Sequence, residues 1–357
     1  MPTYGSAEML KRRYRPTPSS VKDEKAERAR IVKRMRWSAY GIALCSLAIL
    51  GTVYFSPDLK QEKSGQKEQF PTGRVTVLDA PPATTGIAGV KEVEQQVPTG
   101  ISAVPTFPQT IHVSTPSSAP AGAKDGGDNV EYQLVGFGVR TVSFLGIQVY
   151  VVGLYIAIPD IATIQQQLVH VVADPVATTL VPGEKAKLKD LLLDPEQGED
   201  IWNQILKDGG VRMAFRIVPT RNTDFMHLRD SFVRNVTARS AHFAKEKGDP
   251  SFSDDTFGRT VNDFKVAFGG GATKKLPKGE TLLLARDGQG RLALWYEDKK
   301  SNRVKMGAVE DERLARLLWL NYLAGKTVSS EPARQSVIEG LMEYVGRPVG
   351  TIERSVL

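Results

Sequence analysis

Cysteine is nearly absent from this sequence of 357 residues. The one cysteine, Cys45, lies inside an apolar run, so no disulfide can form within the chain. The sequence therefore gives no support for a small secreted fold held together by disulfides. It also contains no CxxC motif for zinc or redox chemistry.

Histidine is also scarce, with four in the chain. None stands in an HExxH motif, and the sequence has no GxSxG nucleophile elbow and no GxxxxGK[ST] phosphate loop. His227 and His242 fall in one predicted helix, at a spacing that allows them to share a face. No motif therefore supports a zinc hydrolase, a serine hydrolase or a P-loop NTPase.

The first 36 residues contain few acids and many bases. Their formal charge is +7, which equals that of the whole chain, so the remaining residues are neutral overall. A neutral body argues against a nucleic-acid-binding surface. Because mitochondrial targeting segments are rich in arginine and poor in acids, residues 1–36 are interpreted as a basic arm and mitochondrial targeting region.

A long uncharged run, WSAYGIALCSLAILGTVYF, occupies residues 37–55. Its length is close to the roughly 20 apolar residues that cross a bilayer core, and Trp37 and Phe55 stand at its ends as interfacial aromatics do. It predicts a single transmembrane helix; a buried core helix and a signal-peptide segment are the alternatives. From the positive-inside rule we expect a mitochondrial inner-membrane protein with its arm in the matrix and its C-terminal domain in the intermembrane space.

Two further regions follow the apolar run. Residues 56–128 are rich in proline, serine, threonine and glycine without lasting periodicity, and they predict a disordered linker in which 104–113 is a candidate for one short extended piece. The folded domain is predicted for residues 129–350, with a strand at 211–218 and a hairpin over 282–296. Helices are predicted at 223–246, 254–267, 309–324 and 330–345. Hairpins and helices in separate blocks indicate an α+β fold with an antiparallel sheet.

Arg140 interrupts the otherwise apolar stretch VGFGVRTVSFLGIQVYVVGLYI at 135–156. A buried arginine is costly in free energy unless another group pairs with it. Its planar fork of five donors suits a carboxylate, a phenolate or an enone oxygen of a ligand. A structural salt bridge or a position at a sheet edge is the alternative explanation.

The same stretch resembles the first hairpin of the chalcone isomerase family, in which GVR is followed by a turn and a strand ending in G-[VIL]-Y. The segment LRDSFVRNVTA at 228–238 is similar to that family's active-site helix, and residues 309–341 are similar to its C-terminal helix pair. With the basic arm and the apolar run, the chain resembles the fungal mitochondrial members, the altered-inheritance-of-mitochondria proteins. The resemblance implies an antiparallel sheet backed by a helical layer, with a ligand cleft between them.

The resemblance also implies roles for four residues. Arg140 matches the arginine that binds the ligand's oxyanion, and Asn235 matches an asparagine that binds the far ring. Tyr150 stands where the family has a threonine and Leu228 where it has a tyrosine, the two groups that orient a water at the ketone. Because these groups and a hydroxyl expected near Met306 are missing, we expect a ligand-binding domain without isomerase activity.

The expected ligand joins an apolar body to a carboxylate that Arg140 can bind. The resemblance implies heme first and a fatty acid second, with Tyr150, His227 and His242 as candidate iron ligands. Membrane lipid is expected around residues 37–55, and no nucleic-acid partner is expected. An isomerase (intramolecular lyase) of the chalcone isomerase type and a scaffold with a vestigial cleft are the alternative functions.

Overall fold

A computed structural model describes residues 95–114, 122, 129–142, 145–174, 176–269 and 275–349 of the chain. The predicted basic arm (1–36) and transmembrane helix (37–55) lie outside these residues, as does most of the predicted linker. Among the helices in the described part of the chain, none combines the length and the apolar content needed to cross a membrane.

The strands in the described ranges are short on the N-terminal side and long in the centre. In chain order they are β1 (Gln96–Ile101), β2 (Val104–Pro108), β3 (Thr110–Ser114), β4 (Asn129–Val142), β5 (Ile147–Ala157), β6 (Met213–Pro219), β7 (Thr223–Asp224), β8 (Lys275–Leu276), β9 (Thr281–Arg286), β10 (Leu292–Glu297) and β11 (Arg303–Val309).

One seven-stranded sheet carries the domain, in the order β11-β10-β9-β6-β5-β4-β3. All its neighbouring strands are antiparallel, which confirms the α+β expectation, and the predicted hairpin over 282–296 is β9–β10. The sheet curls until its two edges meet: the guanidinium of Arg303 on β11 donates a hydrogen bond to the carbonyl oxygen of His112 on β3.

Helices cover one face of this sheet. They are α1 (Ile161–Val172), α2 (Pro182–Leu193), α3 (Gln197–Asp208), α4 (Phe225–Lys245), α5 (Asp255–Gly269), α6 (Glu312–Leu323) and α7 (Glu331–Val345), with short 3-10 turns at Ile158–Asp160 and Pro250–Ser253. The four predicted helices correspond to α4 to α7. The helices α1 to α3 were not predicted, although Ile161, Ile164 and Leu168 in α1 follow a helical apolar spacing and are buried.

The predicted linker is wrong over residues 96–114, where β1 to β3 lie, and the extended piece predicted at 104–113 corresponds to β2 and β3. These strands bury apolar side chains on the sheet face opposite the helices. The ring of Phe107 stacks on that of Phe137 with centroids 5.9 Å apart, and the Tyr155 hydroxyl donates a 2.7 Å hydrogen bond to the carbonyl oxygen of Pro108. The proline-rich composition concealed this segment because its prolines lie in short strands at the margin of the fold.

The two faces of the sheet bury separate apolar clusters. Side chains alternate across a strand, so neighbours in β5 divide between them: Val152 and Leu154 pack under the helices, whereas Val151 and Tyr155 pack with the β1–β2 hairpin. Both faces of the sheet are therefore covered, and for this reason the sequence of β5 is a nearly continuous apolar run.

The helix α7 packs unusually closely on β4. A Cβ atom at Gly138 would lie 2.2 Å from the backbone nitrogen of Ala333, and one at Gly340 would lie 2.0 Å from the carbonyl oxygen of Val135. The Ser330 hydroxyl donates a 2.8 Å hydrogen bond to the carbonyl oxygen of Val139. This contact holds the end of β4, and with it the backbone of Arg140, against the start of α7.

We expect Gly138→Ala to destabilise the domain by about 1–3 kcal/mol, because the added methyl group must push two backbones apart. Gly258→Ala in α5 is the matched control, since a Cβ there meets no atom within 4 Å and alanine favours a helix over glycine by about 1 kcal/mol. Urea unfolding followed by tryptophan fluorescence measures both changes. Equal stability of the two variants would contradict the close contact.

Candidate ligand-binding site

Arg140 lies two residues before the end of β4, opposite Tyr150 on β5, where the register of the two strands shifts. Its Nη1 donates a 3.2 Å hydrogen bond to the Tyr150 hydroxyl, and its Cζ lies 5.7 Å from the centroid of that ring. The structure thus brings together two of the four predicted site residues, with the guanidinium half-buried over an aromatic ring.

A third group, Tyr322 on α6, completes this contact. The hydroxyls of Tyr150 and Tyr322 are 2.7 Å apart, and the two side chains are 3% and 1% exposed. Because Tyr150 accepts from Arg140, its own proton is available to Tyr322. Burial and the neighbouring Tyr150 raise the pKa of Tyr322 well above its usual value, so Tyr322 stays a neutral hydroxyl.

Tyr322 was not among the predicted site residues. Its position on the apolar stripe of the predicted helix 309–324 indicates that its side chain faces the core. This position is a sign of burial but not of a role in the site. The sequence does not indicate which core residue its hydroxyl meets, because Tyr150 is far away in the chain.

Arg140 carries its positive charge without an acidic partner in the described part of the chain. Burial acts to lower its pKa, but the Tyr150 and Tyr322 hydroxyls outweigh burial and the net pKa is raised. The titratable groups that act on it are these two tyrosines and no carboxylate. Several of its five N–H donors therefore remain for another anion.

A cavity of about 610 Å³ adjoins Arg140. Asn235 on α4 lines it, together with Pro195, Glu196 and Glu199 around the start of α3 and residues 326–329 between α6 and α7. The Asn235 side chain makes a long, weak hydrogen bond there, from its Nδ2 to the Ser329 hydroxyl at 3.5 Å. Two predicted ligand residues, Arg140 and Asn235, thus share one cavity wall.

The other two predicted residues lie outside this cavity. Tyr150 and Leu228 belong to the apolar cluster under the helices, and Leu228 is 5% exposed. The space between sheet and helices, where the resemblance implies the cleft, is filled by aromatic rings. The centroid of Phe215 lies 4.9 Å from that of Trp319 and 4.7 Å from that of Tyr322. The cavity beside Arg140 is consequently polar, in contrast to the apolar lining that we expected.

A buried ion pair forms the inner wall of the cavity. The guanidinium of Arg239 donates to Glu199 through Nη1, to the Asn321 side-chain oxygen through Nε at 2.6 Å, and to carbonyl oxygens of the α6–α7 connection through Nη2. Burial lowers the pKa of Arg239, and Glu199 offsets part of that effect. The pair ties α3 and α4 to the α6–α7 connection.

Two features support this wall. His242 on α4 lies between two carboxylates, with Nε2 2.8 Å from Glu199 and Nδ1 3.0 Å from Glu246. Gly325 has a φ of +96°, and a Cβ there would lie 2.9 Å from the Arg239 guanidinium. Glycine therefore permits both the left-handed backbone and the close approach of the guanidinium.

Within the described ranges, no group of three or more histidine, cysteine, aspartate or glutamate side chains is arranged to hold a metal ion.

We expect Glu199→Gln to lower the free energy of unfolding by about 3 kcal/mol, because it leaves the Arg239 charge buried without its counter-ion. Glu196→Gln is the matched control. It removes the exposed 3.4 Å pair with Lys326, which should change the free energy by less than about 1 kcal/mol. Urea unfolding measures both, and a loss below 1 kcal/mol in Glu199→Gln would contradict a structural role for the buried pair.

The chain resembles known proteins in three comparisons. Residues 130–338 match the family model described as chalcone isomerase like. Altered inheritance of mitochondria protein 18, mitochondrial, of Debaryomyces hansenii is 34% identical over 215 residues, which cover 60% of this chain and 67% of that protein. The Eremothecium gossypii protein of the same name is 30% identical over 251 residues, covering 68% of this chain and 78% of that protein.

Among solved structures, an Arabidopsis thaliana fatty-acid binding protein matches with a TM-score of 0.41 and 18% identity, over 66% of this chain and 99% of that chain. The family match spans more than half of the chain, and it includes the β4–β5 hairpin that carries Arg140. The family model and the two fungal relatives together show that this chain belongs to the chalcone isomerase-like family.

Proposed function

We propose that this protein is a non-catalytic, membrane-anchored ligand-binding protein that holds the carboxylate of an apolar molecule at Arg140. One observation carries the proposal: a half-buried guanidinium faces a cavity and has two tyrosine hydroxyls, but no described carboxylate, as its partners. A half-buried positive charge costs free energy unless an anion pairs with it. A carboxylate can accept two parallel hydrogen bonds from the guanidinium fork.

The site is poorly equipped for isomerisation. Tyr150 stands where the resemblance implies a threonine, and its hydroxyl is already engaged by Arg140 and Tyr322. Leu228 stands where a tyrosine is implied, and it is buried without a polar group. Ring closure depends on groups that position the ketone and water, so binding without turnover is the better account.

Exposed apolar side chains close to Arg140 in the chain offer a surface to the apolar part of a ligand. Val142 ends β4 and is 39% exposed, and Leu145 in the following turn is 69% exposed. Exposed apolar side chains next to a cationic anchor suit a ligand with a hydrocarbon chain and an acidic end. These neighbours favour a fatty acid as the ligand class.

Heme, the other ligand implied by the resemblance, stays a prediction. The residues around Arg140 do not fit an iron centre well, because the candidate ligating atoms have partners. The Tyr150 hydroxyl bonds to two residues, and both ring nitrogens of His242 face carboxylates. The side chain of His227 is 82% exposed, with Nδ1 2.7 Å from Asp224. A ligand that offers a carboxylate alone requires none of these contacts to break.

The location of the protein is part of the proposal. The basic arm (1–36), the uncharged run (37–55) and the names of the fungal relatives support a single-pass protein of the mitochondrial inner membrane. The positive-inside rule supports a C-terminal domain in the intermembrane space.

We expect Arg140→Gln to weaken binding of a fluorescent long-chain fatty acid by at least about tenfold, since a hydrogen bond to a charged group contributes about 1.5–3 kcal/mol. The full chain in nanodiscs is titrated, and empty nanodiscs give the partition background. Arg229→Gln is the matched control, because Arg229 on α4 pairs with Asp230 at 2.7 Å. Equal affinity in the two variants would contradict the anchor.

The same preparation separates the alternative functions. Hemin titration with a visible absorption spectrum that shifts in the wild type and not in Arg140→Gln would assign heme to this site in place of a fatty acid. Conversion of a chalcone above the uncatalysed rate would assign an isomerase.

We expect protease added to isolated mitochondria to digest the C-terminal domain only after the outer membrane is ruptured. The arm should stay protected until the inner membrane is dissolved, because its charge retains it in the matrix. Antibodies against each end of the chain follow the two events. A C-terminal domain that resists protease after outer-membrane rupture would reverse the proposed orientation.

A further inference from the structure

The cavity beside Arg140 is much larger than a carboxylate. Its volume of about 610 Å³ lies in the range of roughly 300–1,000 Å³ that is typical of sites for whole small molecules. A fatty acid that places only its two oxygens at Arg140 and its chain along Val142 and Leu145 would leave this space unused.

The other arginines and lysines that line the cavity have carboxylate partners. Arg239 pairs with Glu199, Lys326 pairs with Glu196, and Lys247 pairs with Asp200. Among the arginines and lysines that line the cavity within the described residues, Arg140 is thus the one without a carboxylate partner, which favours an anionic ligand.

The remaining lining groups are suited to hydroxyls. Asn235 has only a 3.5 Å contact to the Ser329 hydroxyl, and Thr327 and Ser329 bring further hydroxyls to the same wall. Amides and hydroxyls both donate and accept hydrogen bonds. A ligand part that carries hydroxyl groups beside its anionic group can satisfy such a wall, whereas a hydrocarbon chain cannot.

Arg140 lines the polar cavity, and the exposed apolar residues Val142 and Leu145 follow it closely in the chain. The geometry points to a cavity that takes the phosphate-bearing, hydroxylated headgroup of a single-chain lipid, with the phosphate at Arg140 and the acyl chain on these apolar residues. The guanidinium fork binds phosphate as well as carboxylate. This inference rests on the proposed function, and it names the class of lipid as a lysophospholipid in place of a free fatty acid.

The test uses the full chain in nanodiscs and three probes: palmitate, 1-palmitoyl-lysophosphatidylglycerol and glycerol 3-phosphate. We expect the lysolipid to bind at least about tenfold more tightly than palmitate, an additional 1.4 kcal/mol or so from headgroup contacts. Glycerol 3-phosphate should bind far more weakly than the lysolipid, because it lacks the chain. Glycerol 3-phosphate that binds as tightly as the lysolipid would overturn the lipid assignment and leave a site for a free phosphate ester.

Two alanine-to-leucine variants on α4 distinguish binding of a headgroup in the cavity from binding of an anion at Arg140. Ala238 lines the cavity and is exposed, so Ala238→Leu fills space there without removing a polar group. It should abolish the preference for the lysolipid while palmitate still binds. Ala241→Leu makes the same change at an exposed site of the same helix outside the cavity, and it should keep the preference.

The outcomes distinguish this inference from the proposed function. Equal affinities for palmitate and lysolipid in the wild type, or a preference that survives Ala238→Leu, would overturn the headgroup site and leave fatty-acid binding at Arg140 intact. Binding of either lipid that is insensitive to Arg140→Gln would overturn both. A preference lost in Ala238→Leu, kept in Ala241→Leu and dependent on Arg140 supports the headgroup site.

Discussion

The close packing of α7 on β4 is the constraint on which the rest of the site depends. Glycine at 136, 138 and 340 lets two backbones approach to distances that no side chain would allow, and Ser330 and Ser336 hydrogen-bond across the contact. Because α7 follows α6 through a short connection, this contact also fixes the wall formed by residues 326–329 and the α6 helix that carries Tyr322. The end of β4 is therefore held rigidly, and Arg140 leaves the sheet at a defined point.

The site combines a retained anion anchor with a closed core. In the space where the family resemblance implies an open cleft, Phe215, Trp319 and Tyr322 pack together, and Tyr150 reaches Tyr322 from the sheet. The guanidinium of Arg140 bonds to Tyr150 at the margin of this packed core and lines a polar cavity. Such an arrangement suits recognition of an amphipathic anion, since each part of the ligand meets groups of its own polarity.

Sequence patterns predicted the parts of the fold that rest on local chemistry. The β4–β5 hairpin, the β9–β10 hairpin and the helices α4 to α7 were all indicated by periodicity and by capping residues such as Ser330. The strand β1 was missed, and β2 and β3 were predicted as one extended piece of the linker, because the prolines of this segment resemble those of a linker. The helices α1 and α2 were missed because the stripe in α1 is short and the leucines of α2 cluster towards its C-terminal end.

The sequence by itself determined the family and singled out Arg140, an arginine placed in an apolar hairpin with a tyrosine ten residues later. Only the tertiary structure decided what that arginine meets. Arg140 meets Tyr150 and, through it, Tyr322, which comes from a helix far away in the chain. Hydrogen bonds between distant residues leave no local pattern to read. Asn235 shares the cavity and Leu228 does not, although both lie on one helix, because helix packing and not spacing decides which face borders the cavity.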